Sequence, residues 1–178
     1  ALPISYLSNL FGYPTDCPQR EKNGWTGDAH TVIETALFNF DGILVYEKWM
    51  DDHRDEQQND GTLPSIIPTA GWGYSWGNGP DWTSSMILVP WNVYKFYGDT
   101  RILEENYENM RRYVSKIKSV SKDNLTSWGL GDWVPVKSKS NLEFTSSVFY
   151  YTDVLLISKI AKILGHNNEA FEFKNLAI

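Results

Sequence analysis

Apolar residues recur every three or four positions along most of this 178-residue chain. The clearest run spans residues 101–120, where the apolar stripe consists of Leu103, Tyr107, Met110, Val114 and Ile117. A stripe of this period covers one face of an α-helix and leaves the other face to solvent. Similar patterns predict the tail of a helix over 1–13 and further helices over 28–39, 41–57, 81–97, 143–164 and from 169 onward. No segment shows the alternation of polar and apolar residues that is typical of a strand, so the chain is predicted to be all-α. No internal repeat is found in the sequence.

The connections between the predicted helices are of two kinds. Some are only a few residues long, whereas 62–81 and 125–140 are long, irregular and carry several glycines and tryptophans. Long structured loops in compact domains are often functional. Helical hairpins whose loops lie alternately at two ends are typical of an α/α toroid or a solenoid, so the sequence favours these two architectures.

Two of the predicted helices carry further detail. In 41–57 the pattern predicts that Ile43, Leu44, Trp49 and Met50 face the core. In 81–97, Pro90 lacks the N–H that an interior helical position needs. The proline is therefore predicted either to kink this helix or to make its first turns irregular.

Composition limits the partners and cofactors. The net charge of −6 argues against a nucleic-acid partner, because phosphate binding needs clustered Lys and Arg. The single cysteine excludes an internal disulfide, and three scattered histidines form no metal-ligand pattern, so no metal or other cofactor is predicted. Neither a signal peptide nor a membrane-spanning run is found. The chain starts without methionine and soon reaches a polar loop, so we expect it to be a piece of a longer protein.

The most polar loop runs from Asp16 to Asp28 and holds three carboxylates, an arginine and a tryptophan. Pro18, Gly24 and Gly27 prevent it from forming one continuous helix. Glycoside hydrolysis uses one carboxylic acid to protonate the leaving oxygen and a second carboxylate to activate water or attack the sugar. A tryptophan can pack on the C–H face of a sugar ring while carboxylates accept hydrogen bonds from its hydroxyls. The composition of the loop therefore fits carbohydrate chemistry.

The strings PTDCPQREK, from Pro14 to Lys22, and GWTGDA, from Gly24 to Ala29, resemble a known signature. It is the signature of the bacterial α-L-rhamnosidases of glycoside hydrolase family 78. Similar family segments follow in the same order: Asp81-Trp82, Val89-Pro90-Trp91, Gly131-Asp132-Trp133 and the stretch from Tyr150 to Gly165. The resemblance implies an (α/α)6 barrel of twelve helices, a catalytic domain of which residues 1–178 are about half and which continues beyond residue 178.

The resemblance also implies roles for residues at matching positions. Glu21 matches the general acid, which protonates the glycosidic oxygen. Asp16 and Asp28 match carboxylates that bind sugar hydroxyls, and Arg20 matches a position that binds hydroxyls or holds the acid. The aromatic walls of the pocket are matched by Trp25, Trp82 and Trp133. Asp132, beside Trp133, is a further matching substrate-binding position. This chain has Ser84 two residues after Trp82, where many members of the family carry an aspartate.

Each implied role competes with a structural alternative. The alternatives are a solvated surface position for Glu21, an Asx-turn at Asp16, a helix cap at Asp28, a salt bridge for Arg20, a tight turn at Asp132 and core packing for the three tryptophans.

The function implied by the resemblance is hydrolysis of a terminal α-L-rhamnoside on a glycan or glycoside, with inversion at the anomeric carbon. The general base would lie downstream of residue 178, so the 1–178 chain alone is predicted to be inactive. The family points to a bacterial protein, either periplasmic or secreted, or cytoplasmic. Two alternatives are another α/α-toroid glycosidase with a different sugar specificity and a non-catalytic helical module that binds carbohydrate or protein. The presence of Glu21 argues against the non-catalytic module.

Overall fold

The computed structural model describes residues 2–69 and 71–177. Ala1, Ala70 and Ile178 fall in predicted segments but lie outside the described residues. The helices, in chain order, are α1 (Leu2–Ser8), α2 (Thr26–Asn39), α3 (Ile43–Glu56), α4 (Pro80–Thr83), α5 (Ser85–Tyr97), α6 (Arg101–Val120), α7 (Leu142–Ile163) and α8 (Asn167–Leu176). Among the described residues there are isolated β-bridges but no strand. The all-α prediction is therefore confirmed.

Helix α5 lies at the centre of the packing and contacts α2, α3, α6 and α7. Each of these helices contributes side chains with no solvent exposure, such as Ile33, Trp49, Val93, Met110 and Ile157. The whole predicted stripe of α6 is buried. Burial of such side chains is the main force that holds helices of this length together in water.

Two details of the predicted helices need correction. The helix predicted over 81–97 is divided at Ser84 into α4 and α5, and Pro90 lies inside α5 without ending it. In α3, Leu44 is 76% exposed, so its predicted inward position is wrong. The buried stripe of α3 is instead formed by Tyr46, Trp49, Met50 and His53, which are spaced as one helical face requires.

His53 is part of the core without acting as a metal ligand. Its Nδ1 donates to the carbonyl of Trp49 at 2.8 Å, and its Nε2 lies 2.9 Å from Ser85 Oγ. Burial lowers the pKa of His53 to about 4, because the charged imidazolium is poorly solvated there. The neutral ring therefore links α3 to α5.

A band of apolar side chains on α7 and the preceding loop is open to solvent. Phe144 is 68% exposed and Tyr151 is 51% exposed, with Leu125 and Val148 beside them around one shallow groove. None of the helices in the described part of the chain combines the length and apolar character that crossing a bilayer requires.

Candidate active site

Three long connections meet around a pocket of about 340 Å³. They are the α1–α2, α3–α4 and α6–α7 connections, joined by the first turns of α2 and α4. The pocket is lined by Asp16, Cys17, Arg20, Glu21, Trp25, Asp28, Trp72, Trp76, Trp82, Leu130 and Trp133. Carboxylates and indole rings thus face one space of the size that holds a small ligand.

The α1–α2 connection is fixed to the α3–α4 connection by backbone hydrogen bonds. Thr26 N–H donates to the carbonyl of Ser65, and Ile67 N–H donates to the carbonyl of Gly24, both at 2.9 Å. Gly24 is required here because a Cβ atom at this position would lie 2.1 Å from the Ile67 carbonyl oxygen. The pairing fixes the end of the polar loop beside the α3–α4 connection.

Asp16 closes the polar loop on itself. Its Oδ1 accepts the N–H of Asn23 at 3.1 Å, and Asp16 N–H donates to the Asn23 carbonyl at the same distance. This bond spans seven residues, so it is not the two-residue Asx-turn considered as an alternative. The second carboxylate oxygen accepts a hydrogen bond from the Cys17 thiol.

Glu21 is held by a hydrogen bond at each carboxylate oxygen. Arg20 Nη2 donates to Oε1 at 2.9 Å, and the indole Nε1 of Trp25 donates to Oε2 at 3.1 Å. The Glu21 side chain is 33% exposed and lines the pocket, whereas Arg20 is 75% exposed. In this structure Arg20 therefore contacts the predicted acid directly, as a residue that orients it would.

Asp28 lies in the first turn of α2 and makes no side-chain cap. Asp28 is an exposed residue, and its side chain lines the pocket. Partial desolvation by the pocket walls raises the pKa of Asp28, and the negative charges of Asp16 and Glu21 add to this effect. The carboxyl of Asp28 is thus poised to exchange hydrogen bonds with a polar ligand.

Asp16, Cys17 and Glu21 bring one potential metal-ligand atom each within 4.8 Å of one another. The Asp16 carboxylate accepts a hydrogen bond from the Cys17 thiol, and this hydrogen bond raises the pKa of Cys17. A metal ion would have to displace the thiol proton, because it is the thiolate that binds a metal. That the site works without a metal stays a prediction from the sequence.

Indole rings form a continuous cluster along one side of the pocket. The ring centroids of Trp25 and Trp76 are 5.3 Å apart, those of Trp72 and Trp76 are 6.0 Å apart, and those of Trp76 and Trp133 are 6.3 Å apart. Trp25 is 8% exposed, whereas Trp133 is 63% exposed, so the cluster runs from the core to the pocket rim. Trp72 and Trp76 were not predicted as site residues; the only signal for them was their long, glycine-rich connection.

Trp82 forms another wall of the pocket and packs over Gly27. A Cβ atom at Gly27 would lie 2.8 Å from two atoms of the Trp82 ring. The missing side chain of Gly27 therefore lets the ring lie against the first turn of α2.

We expect Gly27→Ala to displace Trp82 and to destabilise the protein by about 1–3 kcal/mol, the usual cost of overpacking. The measurement is chemical denaturation of the protein that contains this chain, together with near-ultraviolet circular dichroism of its tryptophans. Gly42→Ala is the control, because a Cβ there meets atoms no closer than 3.4 Å. Equal stability of the two variants would contradict the packing described for Trp82.

Asp132 does not line this pocket, in contrast to the other seven predicted site residues. Its Oδ2 accepts the N–H of Ser140 at 2.6 Å, and the hydrogen bonds from Ser140 lower the pKa of Asp132. It therefore closes a loop of eight residues, which is not the tight turn considered as an alternative, beside a second cavity of about 300 Å³ that Asp28, Trp82 and Trp133 also line. Ser84 is also turned away: it is fully buried and donates to Asp153 at 2.6 Å.

The chain is similar to proteins of known family. The model of the bacterial α-L-rhamnosidase six-hairpin glycosidase domain matches residues 1–178. An α-L-rhamnosidase of Formosa agariphila is 32% identical over 177 residues, covering 94% of this chain and 19% of that protein.

Two solved structures share the fold closely. An α-L-rhamnosidase structure from Dictyoglumus thermophilum has a TM-score of 0.92 and 38% identity, covering 99% of this chain and 20% of that one. A Streptomyces avermitilis α-L-rhamnosidase complexed with L-rhamnose has a TM-score of 0.89 and 26% identity, covering 99% and 17%. The chain thus spans about a fifth of the length of these relatives.

Proposed function

The chain belongs to the family of bacterial α-L-rhamnosidase six-hairpin glycosidase domains, and from this membership we propose that its parent protein removes terminal α-L-rhamnose from glycans or glycosides. The observation that carries the proposal is the pocket itself. One space gathers Glu21, two further carboxylates and five tryptophans. Such a combination provides an acid, acceptors for hydroxyls and apolar walls, which together are what hydrolysis of a sugar requires.

The predicted fold class, part of a helical-hairpin barrel, is confirmed by the match to solved rhamnosidase structures. We propose that the catalytic domain continues beyond residue 178 in the parent protein. The exposed band around Phe144 and Tyr151 supports this proposal, because an isolated domain rarely leaves such large apolar side chains in water. Further helices of the domain would cover them.

Glu21 is the proposed general acid. It donates its proton to the glycosidic oxygen as the bond to the anomeric carbon breaks, so the leaving group departs as a neutral alcohol. Trp25 and Arg20 hold one carboxylate oxygen each, which fixes the direction in which the proton is delivered. After the transfer both side chains donate to the carboxylate that remains, and so stabilise it.

The other groups of the pocket bind the sugar in this proposal. Asp16 and Asp28 accept hydrogen bonds from ring hydroxyls, and the indole rings pack on the C–H face and on the methyl group that rhamnose carries in place of the hydroxymethyl group of an ordinary hexose. Asp132 does not line this pocket but lines the adjoining cavity with Asp28, Trp82 and Trp133, so its part in substrate binding stays a prediction.

The reaction is proposed to invert the anomeric carbon. In that mechanism a second carboxylate, roughly 6.5–9.5 Å from the acid, activates a water molecule on the opposite face of the sugar. We place this base in the part of the parent protein that follows residue 178. Proton NMR during hydrolysis would test the mechanism, since β-L-rhamnose is expected as the first product and α-L-rhamnose would contradict inversion.

A panel of nitrophenyl glycosides tests the substrate assignment on the full-length parent protein. We expect the α-L-rhamnoside to be hydrolysed with a kcat/KM at least about 100-fold above that of other sugars, because the pocket must accept the methyl group and the hydroxyl pattern together. Preference for another sugar would point to a related toroid glycosidase instead. Failure to hydrolyse any member of the panel would favour a non-catalytic binding module.

A further inference from the structure

Asp81 is a buried carboxylate that lies next to the pocket without lining it. It is in the first turn of α4, immediately before the wall residue Trp82, and is 5% exposed. Within residues 2–69 and 71–177 no cationic side chain forms a salt bridge with it, and burial raises the pKa of Asp81. Such a group is costly to bury unless hydrogen bonds compensate, so its partners are informative.

The partners of Asp81 belong to two other segments that build the pocket. Its Oδ2 accepts the N–H of Leu130 at 2.8 Å and also the N–H of Gly131, both in the α6–α7 connection. Its backbone carbonyl accepts Nε2–H of His30, in α2, at 3.0 Å. Burial lowers the pKa of His30 to about 4, so the ring is neutral and donates this bond from one fixed nitrogen.

Asp81 therefore joins three segments at one point. Leu130 and Trp133 line the pocket from the α6–α7 connection, Trp82 lines it from α4, and Asp28 lines it from α2, two residues before His30. Without the carboxylate, the N–H groups of Leu130 and Gly131 would lose their acceptor. The α6–α7 connection would then be free to move relative to Trp82.

The backbone approaches this carboxylate closely. A Cβ atom at Gly129 would lie 2.8 Å from Asp81 Oδ1 and 2.4 Å from Ser146 Oγ. Neither of these two buried oxygens has a hydrogen-bond partner among the described residues. An amide at position 81 could keep its oxygen on the two N–H groups and direct its NH2 towards Ser146, which makes asparagine a conservative replacement.

We propose that Asp81 is a positioning residue for the proposed rhamnosidase reaction: it holds Leu130 and Trp133 against Trp82 and thereby sets the width of the sugar pocket. This inference rests on the proposed function for its effect on catalysis. The hydrogen bonds themselves can be tested without any substrate.

The kinetic test compares Asp81→Ala and Asp81→Asn in the full-length parent protein, with the nitrophenyl α-L-rhamnoside as substrate. Asp81→Ala is expected to lower kcat/KM by about 10- to 100-fold, mainly through KM, because a displaced wall weakens binding before and during the reaction. Asp81→Asn is expected to restore most of the loss. The control is Asp60→Ala, which removes a carboxylate that also accepts a backbone N–H, from Thr62, but does not line the pocket.

Hydrogen exchange provides the second readout. In the wild-type protein the amides of Leu130 and Gly131 should exchange at least about tenfold more slowly than those of the exposed residues Val134 and 136–138 in the same connection. Asp81→Ala should remove this difference, and Asp81→Asn should retain it. If Asp81→Ala does not fold, the wild-type exchange and the kinetics of Asp81→Asn decide the question.

The inference is overturned if the wild-type amides of Leu130 and Gly131 exchange as fast as their exposed neighbours. It is equally overturned if a folded Asp81→Ala variant keeps a kcat/KM within about twofold of the wild type. A wild-type protein that is inactive on rhamnosides but shows the slow amides would instead contradict the proposed function and leave the positioning contacts supported.

Discussion

Replacing Glu21 by Gln in the full-length protein is expected to lower kcat for an unactivated α-L-rhamnoside by about 10²- to 10⁴-fold, the usual contribution of a general acid. The amide keeps the size of the side chain and can still accept from Arg20 or Trp25, but it cannot deliver a proton. KM should change little, because the carboxylates that are proposed to bind the sugar hydroxyls, Asp16 and Asp28, are untouched.

The leaving group makes this test specific for an acid. Dinitrophenolate is a good leaving group and departs from a dinitrophenyl rhamnoside without protonation. The Glu21→Gln variant should therefore hydrolyse this substrate at a rate much closer to that of the wild type. Glu34→Gln is the matched control, since Glu34 is an exposed glutamate of α2 that pairs with Lys95 and does not line the pocket. An equal loss with both leaving groups would contradict the role of proton donor, as would near wild-type turnover of the unactivated substrate.

The isolated 1–178 chain is expected to show no turnover of any α-L-rhamnoside. It carries the proposed acid, but the proposed base lies outside it, and loss of either partner of an acid–base pair removes most of the acceleration. Turnover by the purified chain above the uncatalysed rate would contradict the location of the base.

Folding of the isolated chain must be measured alongside its activity. The apolar side chains exposed on α7, with Phe38 on α2 also 81% exposed, make association between copies a competing reaction. Circular dichroism establishes whether the helices form. Addition of the remaining part of the domain as a second polypeptide is the decisive control, because recovery of turnover on mixing identifies a missing group and not a damaged pocket.

The helices were the most predictable part of the structure. The stripe in α6 follows one period over twenty residues, so its bounds and its buried face could both be predicted from the sequence. The division at Ser84 could not, since no glycine or proline marks it in the sequence, and the buried hydrogen bond that Ser84 makes there is to Asp153, 69 residues away. Leu44 shows the same limit: it lies near the start of α3, where the apolar pattern alone does not decide which side chains reach the core.

The site also has a predictable part and an unpredictable part. Asp16, Glu21 and Asp28 are close in sequence and could be predicted together from one polar loop, and the structure places all three in one pocket. Trp72 and Trp76 come from a connection whose path is fixed only by its bonds to the rest of the chain, such as that between Ser65 Oγ and the Trp76 carbonyl. Asp81 was recognised only as part of a similar segment, because its partners are about 50 residues away.

The tryptophan cluster gives this protein an optical signal of its own. Five of the eight tryptophans in the chain line the pocket, so much of the ultraviolet absorption and emission of this segment originates within reach of a bound sugar. Indole rings 5.3–6.3 Å apart are close enough to share excitation, and their coupled dichroism depends on their mutual angles. We therefore expect fluorescence or dichroism to follow occupancy of the pocket by unlabelled sugars, including in Glu21→Gln, where an unactivated rhamnoside is expected to give product only slowly.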